Sequence, residues 1–164
     1  RKIVKDQGQT LTWLAEQVQL TTKGGVGDDP FERERSLLTQ GLEDAQAHLG
    51  VLLTHAMASL DEAQRERIHL AGLQSTGFLY SLAEVAIAWL FLRHAEVAHA
   101  RHTELEAGGG PATGRSRDDE LAFYAGKVAA ARWFARNALP KVAMRRHVAE
   151  QEDGALMGLA VEAF

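Results

Sequence analysis

The sequence predicts an all-α fold, an antiparallel four-helix bundle with long helices and a kinked last helix. Three observations carry this. Apolar residues recur at steps of three and four over long stretches, the period of helices with one buried face. Strand signals are few. Two glycine-rich breaks, at 23–30 and 107–117, separate the periodic stretches, and short connections between long helices favour antiparallel neighbours. At 164 residues the chain has the length of one domain with a sizeable core, so 1–164 reads as a single helical domain.

The first helix is expected over about residues 1–21, with Ile3, Val4, Leu11, Leu14 and Val18 on one face. Gly8 within it costs about 1 kcal/mol relative to Ala. Arg1-Lys2-Ile3-Val4 carries neither an initiator Met nor a capping residue, and the helical pattern is already running. Residues 1–21 are therefore expected to continue from an upstream domain. The linker 23–30 combines turning glycines with Pro30, which suits a helix start. It lacks the Gly-Lys-Ser/Thr ending of a phosphate-binding loop.

A second helix is expected over 31–60. Its Leu38, Leu42, Ala45, Leu49, Leu52, Ala56 and Leu60 repeat near 3.5 residues, the spacing of a bundle seam. A third runs from Asp61 to Glu106, with Leu79, Leu82, Ala86, Trp89, Leu90 and Val97 as its core stripe and with Gly72 and Gly77 as points of kinking or close packing. The segment 107–117 reads as a flexible linker with Arg115 and Arg117 in solvent. Asp118, Asp119 and Glu120 then precede the fourth helix, where negative charge suits the helix dipole. Pro140 removes a hydrogen bond within that helix and should kink it. The tail 154–164 is apolar enough to dock.

The fourth helix, Leu121 to Ala149, organises the chain. It contains no acidic residue but carries Lys127, Arg132, Arg136, Lys141, Arg145 and Arg146, in a chain of net charge -4. Leu121, Tyr124, Val128, Ala131, Ala135, Leu139 and Val142 project to one side. Gly126, Ala129, Ala130 and Ala131 are small enough for close helix approach. Lys127 falls inside the apolar face near Phe123 and Phe134, where its methylenes are expected to be buried and its ammonium to reach water. Arg132 and Arg136 stack on an edge of the stripe. With Lys127 they are the candidate interface or anion contacts, since paired guanidiniums suit carboxylates and phosphates. Salt bridges to Glu43 or Asp44 of the second helix are the favoured outcome. Trp133 and Phe134 belong to core or subunit interface.

A sequence pI near 6.0 argues against general nucleic-acid binding. The absence of cysteine removes disulfides and thiolate chemistry, and with no signal peptide visible a cytoplasmic location is expected. The most apolar run, Phe78 to Leu92, contains Glu84 and is too short to span a membrane. Glu66/His69 and Glu96/His99 form Glu-x-x-His pairs, but a di-iron site draws such pairs from facing helices, and here both lie on one. Ser36, Ser59, Ser75 and Ser81 lie in helical patterns, outside any Gly-x-Ser-x-Gly turn. Asp28/Asp29 and Asp118/Asp119 sit at loop-to-helix junctions, where capping explains them. No catalytic, cofactor-binding or metal residue is assigned.

The segments Phe123-Tyr124-Ala125-Gly126-Lys127, Ala131-Arg132-Trp133-Phe134, Asn137-Ala138-Leu139-Pro140 and Leu156 to Phe164 resemble the C-terminal extension of one branch of the acyl-CoA dehydrogenases. The opening Arg1 to Val4 is similar to the family's segment soon after its catalytic-base motif. The resemblance implies a parent enzyme that uses FAD to remove hydrogens from the α and β carbons of an acyl thioester. In it a glutamate takes the α proton, the flavin N5 accepts the β hydride, and an electron-transfer flavoprotein receives the electrons. The catalytic Glu, in a Tyr-Glu-Gly-Thr type context, belongs upstream of Arg1, and neither Glu16 nor Glu32 matches that motif.

The expected role is an accessory and assembly domain, inactive and without FAD when isolated. It would pack against the parent's dehydrogenase domains in a homo-oligomer. The alternative is a peripheral membrane- or partner-binding module, since a basic amphipathic helix can lie in an anionic interface. An independent metal-binding bundle is the third reading.

Overall fold

The computed structural model describes residues 8–23 and 28–163. Among these residues five helical segments form four rods: α1 (Gln9–Thr22), α2 (Glu32–Ala58), α3 (Arg67–Glu106), and a bent fourth rod made of α4 (Arg117–Asn137) and α5 (Pro140–Gln151). Three short 3-10 turns and connecting loops make up the rest of the described residues, and no strand occurs among them. The all-α bundle read from the sequence is the observed fold.

Side-chain pairs fix the topology. Arg35 of α2 reaches Glu96 of α3, while Gly77 of α3 lies beside His48, so these helices run antiparallel. Arg117 meets Leu105, and Phe91 meets Phe134, so α3 and α4 are antiparallel too. Arg136 with Glu34 and Arg146 with Asp44 make the bent rod parallel to α2. The result is an up-down-up-down bundle.

The boundaries follow local chemistry. Ile3 and Val4 lie outside the described residues. Gly8 is not in a helix interior but at the N-cap of α1, with φ 79°, a conformation glycine adopts without steric cost. Asp61 does not open the third helix. Its carboxylate accepts the Ala63 amide at 3.0 Å and caps the 3-10 turn Glu62–Gln64, and α3 begins at Arg67. The fourth rod starts earlier than expected: Ser116 accepts the Asp119 amide as N-cap, so Asp118, Asp119 and Glu120 occupy the first turn of α4. The bend is where Pro140 requires it. Backbone angles stay right-handed helical at Ala138 and Leu139, but the proline has no N–H to give, and it becomes the first residue of α5, a position that tolerates it.

The core is built around Leu38, Leu42 and Ala45 of α2, Val85, Trp89 and Leu92 of α3, and Val128, Ala131, Ala135, Leu139 and Val142 of the bent rod. The stripe expected on the fourth helix is the buried one. Along α2 the expected seam is buried only in its first half, for Leu60 is 76% exposed.

On α3 the expected stripe is mostly on the wrong side. Leu79, Leu90 and Val97 are exposed, and of the six residues only Trp89 is buried. Phe78, Ser81, Val85, Ala88 and Leu92 fill the core instead. A Cβ added at Gly72 would have no neighbour within 4 Å, whereas one at Gly77 would face His48 at 3.6 Å. At 40 residues, with a window of mean hydropathy 1.5, α3 is long and apolar enough to cross a membrane by length and composition. The run from Phe78 to Leu92 is thus the centre of a longer apolar helix.

Candidate functional site

The three candidate cations separate. Arg136 Nη2 donates to Glu34 Oε1 at 2.9 Å, and Glu34 is buried at the start of α2. Arg132 Nη2 donates to the Pro30 carbonyl at 3.1 Å, with its guanidinium 5.6 Å from the Phe31 ring centre. Both arginines clamp the fourth rod to the head of the second helix. The expected helix supplies the partner, but the acid is Glu34, one turn before Leu38 on the seam, and not Glu43 or Asp44. Asp44 pairs instead with Arg146 at 3.2 Å. Lys127 is exposed and not inside the buried face; its Nζ lies 5.3 Å from the Phe123 ring centre, near Phe123 as expected. Gly126, Ala129 and Ala130 are exposed, and only Ala131 faces a neighbouring helix.

Trp133 is 65% exposed, whereas Phe134 packs edge-on against Phe91 at 5.1 Å. Trp133, Arg132 and Arg136 line an open groove of about 730 Å³ with His99, His102 and Glu106 of α3. Here His102 Nδ1 lies 3.4 Å from Glu106. The groove presents one aromatic plate, with Arg132, Arg136 and His102 already held by protein partners.

The strongest polar constellation is one that sequence reasoning misses. Arg35 joins three elements: Nε meets Asp29 at 2.6 Å, Nη2 meets Glu96 at 2.6 Å, and Nη1 donates to the Thr21 carbonyl. Burial works against the Asp29 charge, but the Phe31 amide and Arg35 together hold its carboxyl below the usual aspartate range. Burial likewise opposes the Arg35 charge, and the hydrogen bonds and charges of Asp29 and Glu96 more than offset it. Glu96, half of a Glu-x-x-His pair, is thus an ion-pair partner. Among the described residues no group of three or more His, Asp or Glu side chains could hold a metal ion.

Two further polar devices tie the rods together. Arg145 makes a bidentate pair with Glu84 at 2.6 and 3.0 Å. Glu120, almost fully buried, accepts from the Ala112 and Thr113 amides and from the Thr113 hydroxyl. That hydroxyl first, then the amides, lowers its pKa below the usual glutamate value. The segment 107–117 is accordingly pinned, and Arg117, exposed as expected, also has a structural role: it donates to the Leu105 carbonyl at 2.6 Å and caps the end of α3.

The family described as "Acetyl-CoA dehydrogenase C-terminal like" matches residues 14–160. Among curated proteins, the chain is similar to the broad-specificity linear acyl-CoA dehydrogenase FadE5 of Mycobacterium tuberculosis, at 38% identity over 164 residues. That alignment covers 100% of this chain and 25% of the relative, so the chain spans a quarter of the relative's length. With a family match running from α1 into the C-terminal tail, the chain belongs to the acetyl-CoA dehydrogenase C-terminal-like family.

Proposed function

We propose that this chain serves as the C-terminal accessory and assembly domain of an FAD-dependent acyl-CoA dehydrogenase. The parent would remove hydrogens from the α and β carbons of acyl thioesters in fatty-acid oxidation and pass electrons to an electron-transfer flavoprotein. It would work as a homo-oligomer in the cytoplasm. The observation that carries this reading is the full-length match to one quarter of a dehydrogenase. It is supported by the way the chain uses its charges. Arg35, Arg136, Arg145 and Arg146 each join one helix to another element, which is the work of a packing module.

Arg132 and Arg136, the candidate interface or anion contacts, already give donors to Pro30 and Glu34. That engagement supports assigning the redox chemistry to upstream domains of the parent. The inward contacts of Arg132 and Arg136 favour a packing role for the basic helix over a membrane role.

The test compares the 164-residue chain with its parent. The parent should retain flavin absorbance and reduce an electron acceptor with acyl-CoA, while the 164-residue chain should do neither. Turnover by the isolated chain would overturn the accessory role. An upstream reading frame without the catalytic Glu motif would overturn the dehydrogenase assignment.

A further inference from the structure

α3 is apolar on two opposite sides. One side, through Phe78, Val85 and Leu92, is in the core. On the other, Leu73, Tyr80, Ile87, Leu90 and Val97 remain 42–71% exposed. No exposed residue of α3 from Gly72 to Leu90 carries a charge, in a chain that is 24% charged. A helix that is apolar all round belongs in an interior, and the described elements cover one side only.

The outer side has a regular pattern. Leu73, Tyr80, Ile87 and His94 recur every seven residues, and Thr76, Ala83, Leu90 and Val97 do the same between them. Alternating steps of three and four make this a coiled-coil seam. We propose that it packs antiparallel against the same seam of a second copy, about a two-fold axis level with Val85.

The sequence of the seam selects this occupant and this direction. About that axis Leu73 faces Val97, Tyr80 faces Leu90, and the large Ile87 faces the small Ala83. The two polar members, Thr76 and His94, face each other, and no apolar residue is opposite a charge. A parallel pair would instead set His94 against His94 and leave a gap between two copies of Ala83. Self-complementarity of one patch is what a two-fold interface requires. At 1.5 Å per residue the seam is about 36 Å long. That length places it among the smaller specific interfaces, so a dimer that dissociates in the micromolar range is expected. The pairing deepens the assembly role proposed above and rests on it, and does not depend on the dehydrogenase chemistry.

The absence of cysteine makes the test direct. Leu73→Cys and Val97→Cys are prepared as two separate variants of the 164-residue chain, whose described helices share one buried core cluster. Under mild oxidation the mixture should form covalent dimers at least tenfold faster than either variant alone, because position 73 meets 97 and neither meets itself. By sedimentation equilibrium the unaltered chain should show a concentration-dependent dimer. Leu90→Glu, at an exposed position, should weaken it at least tenfold with an unchanged helical circular dichroism spectrum. The proposal is overturned if the mixture cross-links no faster than the single variants. It is equally overturned if the unaltered chain stays monomeric at high micromolar concentration, including the case where it pellets with anionic vesicles. In any of these outcomes, a parent that still holds flavin and oxidises acyl-CoA leaves the functional reading standing and removes only the pairing.

Discussion

His48 of α2 is buried in the bundle, edge-on to Phe78 at 5.7 Å, with neither ring nitrogen in a hydrogen bond of good geometry. Burial pushes its pKa below the ordinary histidine value. The Gln74 backbone and Glu150 pull the other way, and Arg145 adds to the lowering. Because the folded value is depressed, the unfolded chain takes up the proton first as pH falls. Stability is therefore full above about pH 6.5, the unfolded value, and declines below it by about 1.4 kcal/mol per unit until the folded pKa is reached. Urea denaturation between pH 7 and 5 should show this slope, and His48→Leu should flatten it. Persistence of the slope in His48→Leu would assign it to other groups. A second residue-scale prediction concerns Arg136. Removing its guanidinium leaves Glu34 buried without a charge partner, so Arg136→Ala should cost about 1–2 kcal/mol, moderated because Arg136 is partly solvated. Glu34→Gln in that background should recover most of the loss by denaturant titration. The double variant Arg132→Glu/Arg136→Glu, which removes the contacts to both Pro30 and Glu34, should likewise destabilise the bundle itself.

At the scale of elements, legibility depends on how many faces of a helix are apolar. The fourth rod has one stripe and basic edges, so its buried side can be read directly, and Pro140 marks the bend. α3 has two apolar stripes, and periodicity alone does not say which one meets α2 and α4. The exposed stripe passes for core for a physical reason: both satisfy the same spacing. Glu34 leaves a signal, since it continues the seam through Leu38, Leu42 and Ala45. Arg35 leaves none, because a charged residue in a Glu- and Arg-rich turn looks like any solvated helix face until Asp29 and Glu96 are brought to it. Residues 107–117 read as flexible because composition shows glycine, not the Glu120 carboxylate that gathers the loop. The glycines within helices give a sharper contrast. A Cβ at Gly50 would touch nothing within 4 Å, so Gly50→Ala should raise stability by about 0.5–1 kcal/mol through helix propensity. A Cβ at Gly41 would lie 2.9 Å from Leu139 Cδ2 and 3.6 Å from Val85 Cγ2. Leu139 is buried and cannot simply swing away, so Gly41→Ala should lose about 1 kcal/mol or more to overpacking. Thermal unfolding of the two variants side by side checks the opposite signs.

At the scale of the molecule, the bundle is unevenly secured. α2, α3 and the bent rod share the main core, whereas α1 fully buries only Val18. Leu14 and Ala15, partly buried, pack against that core. Trp13 meets Trp89 edge-on at 6.0 Å, and Trp89 Nε1 donates to the Thr21 hydroxyl at 2.9 Å. Arg35 then holds the Thr21 carbonyl together with Asp29 and Glu96. A segment with little buried apolar surface opens at lower free energy than the core, so α1 amides should exchange with solvent before those of α3 and α4. Arg35→Met keeps the apolar stem but removes the charge that binds helix end, linker and α3 into one unit. Loss of a mostly buried ion-pair partner should cost about 2–4 kcal/mol in all, less than a fully buried pair because Glu96 can rehydrate. The loss should be concentrated locally. Hydrogen exchange in α1 should accelerate by tenfold or more, while α3 and α4 protection falls only with global stability. Equal acceleration in all three helices would mean that α1 is an inseparable part of the cooperative core, and that Arg35 supports the bundle as a whole.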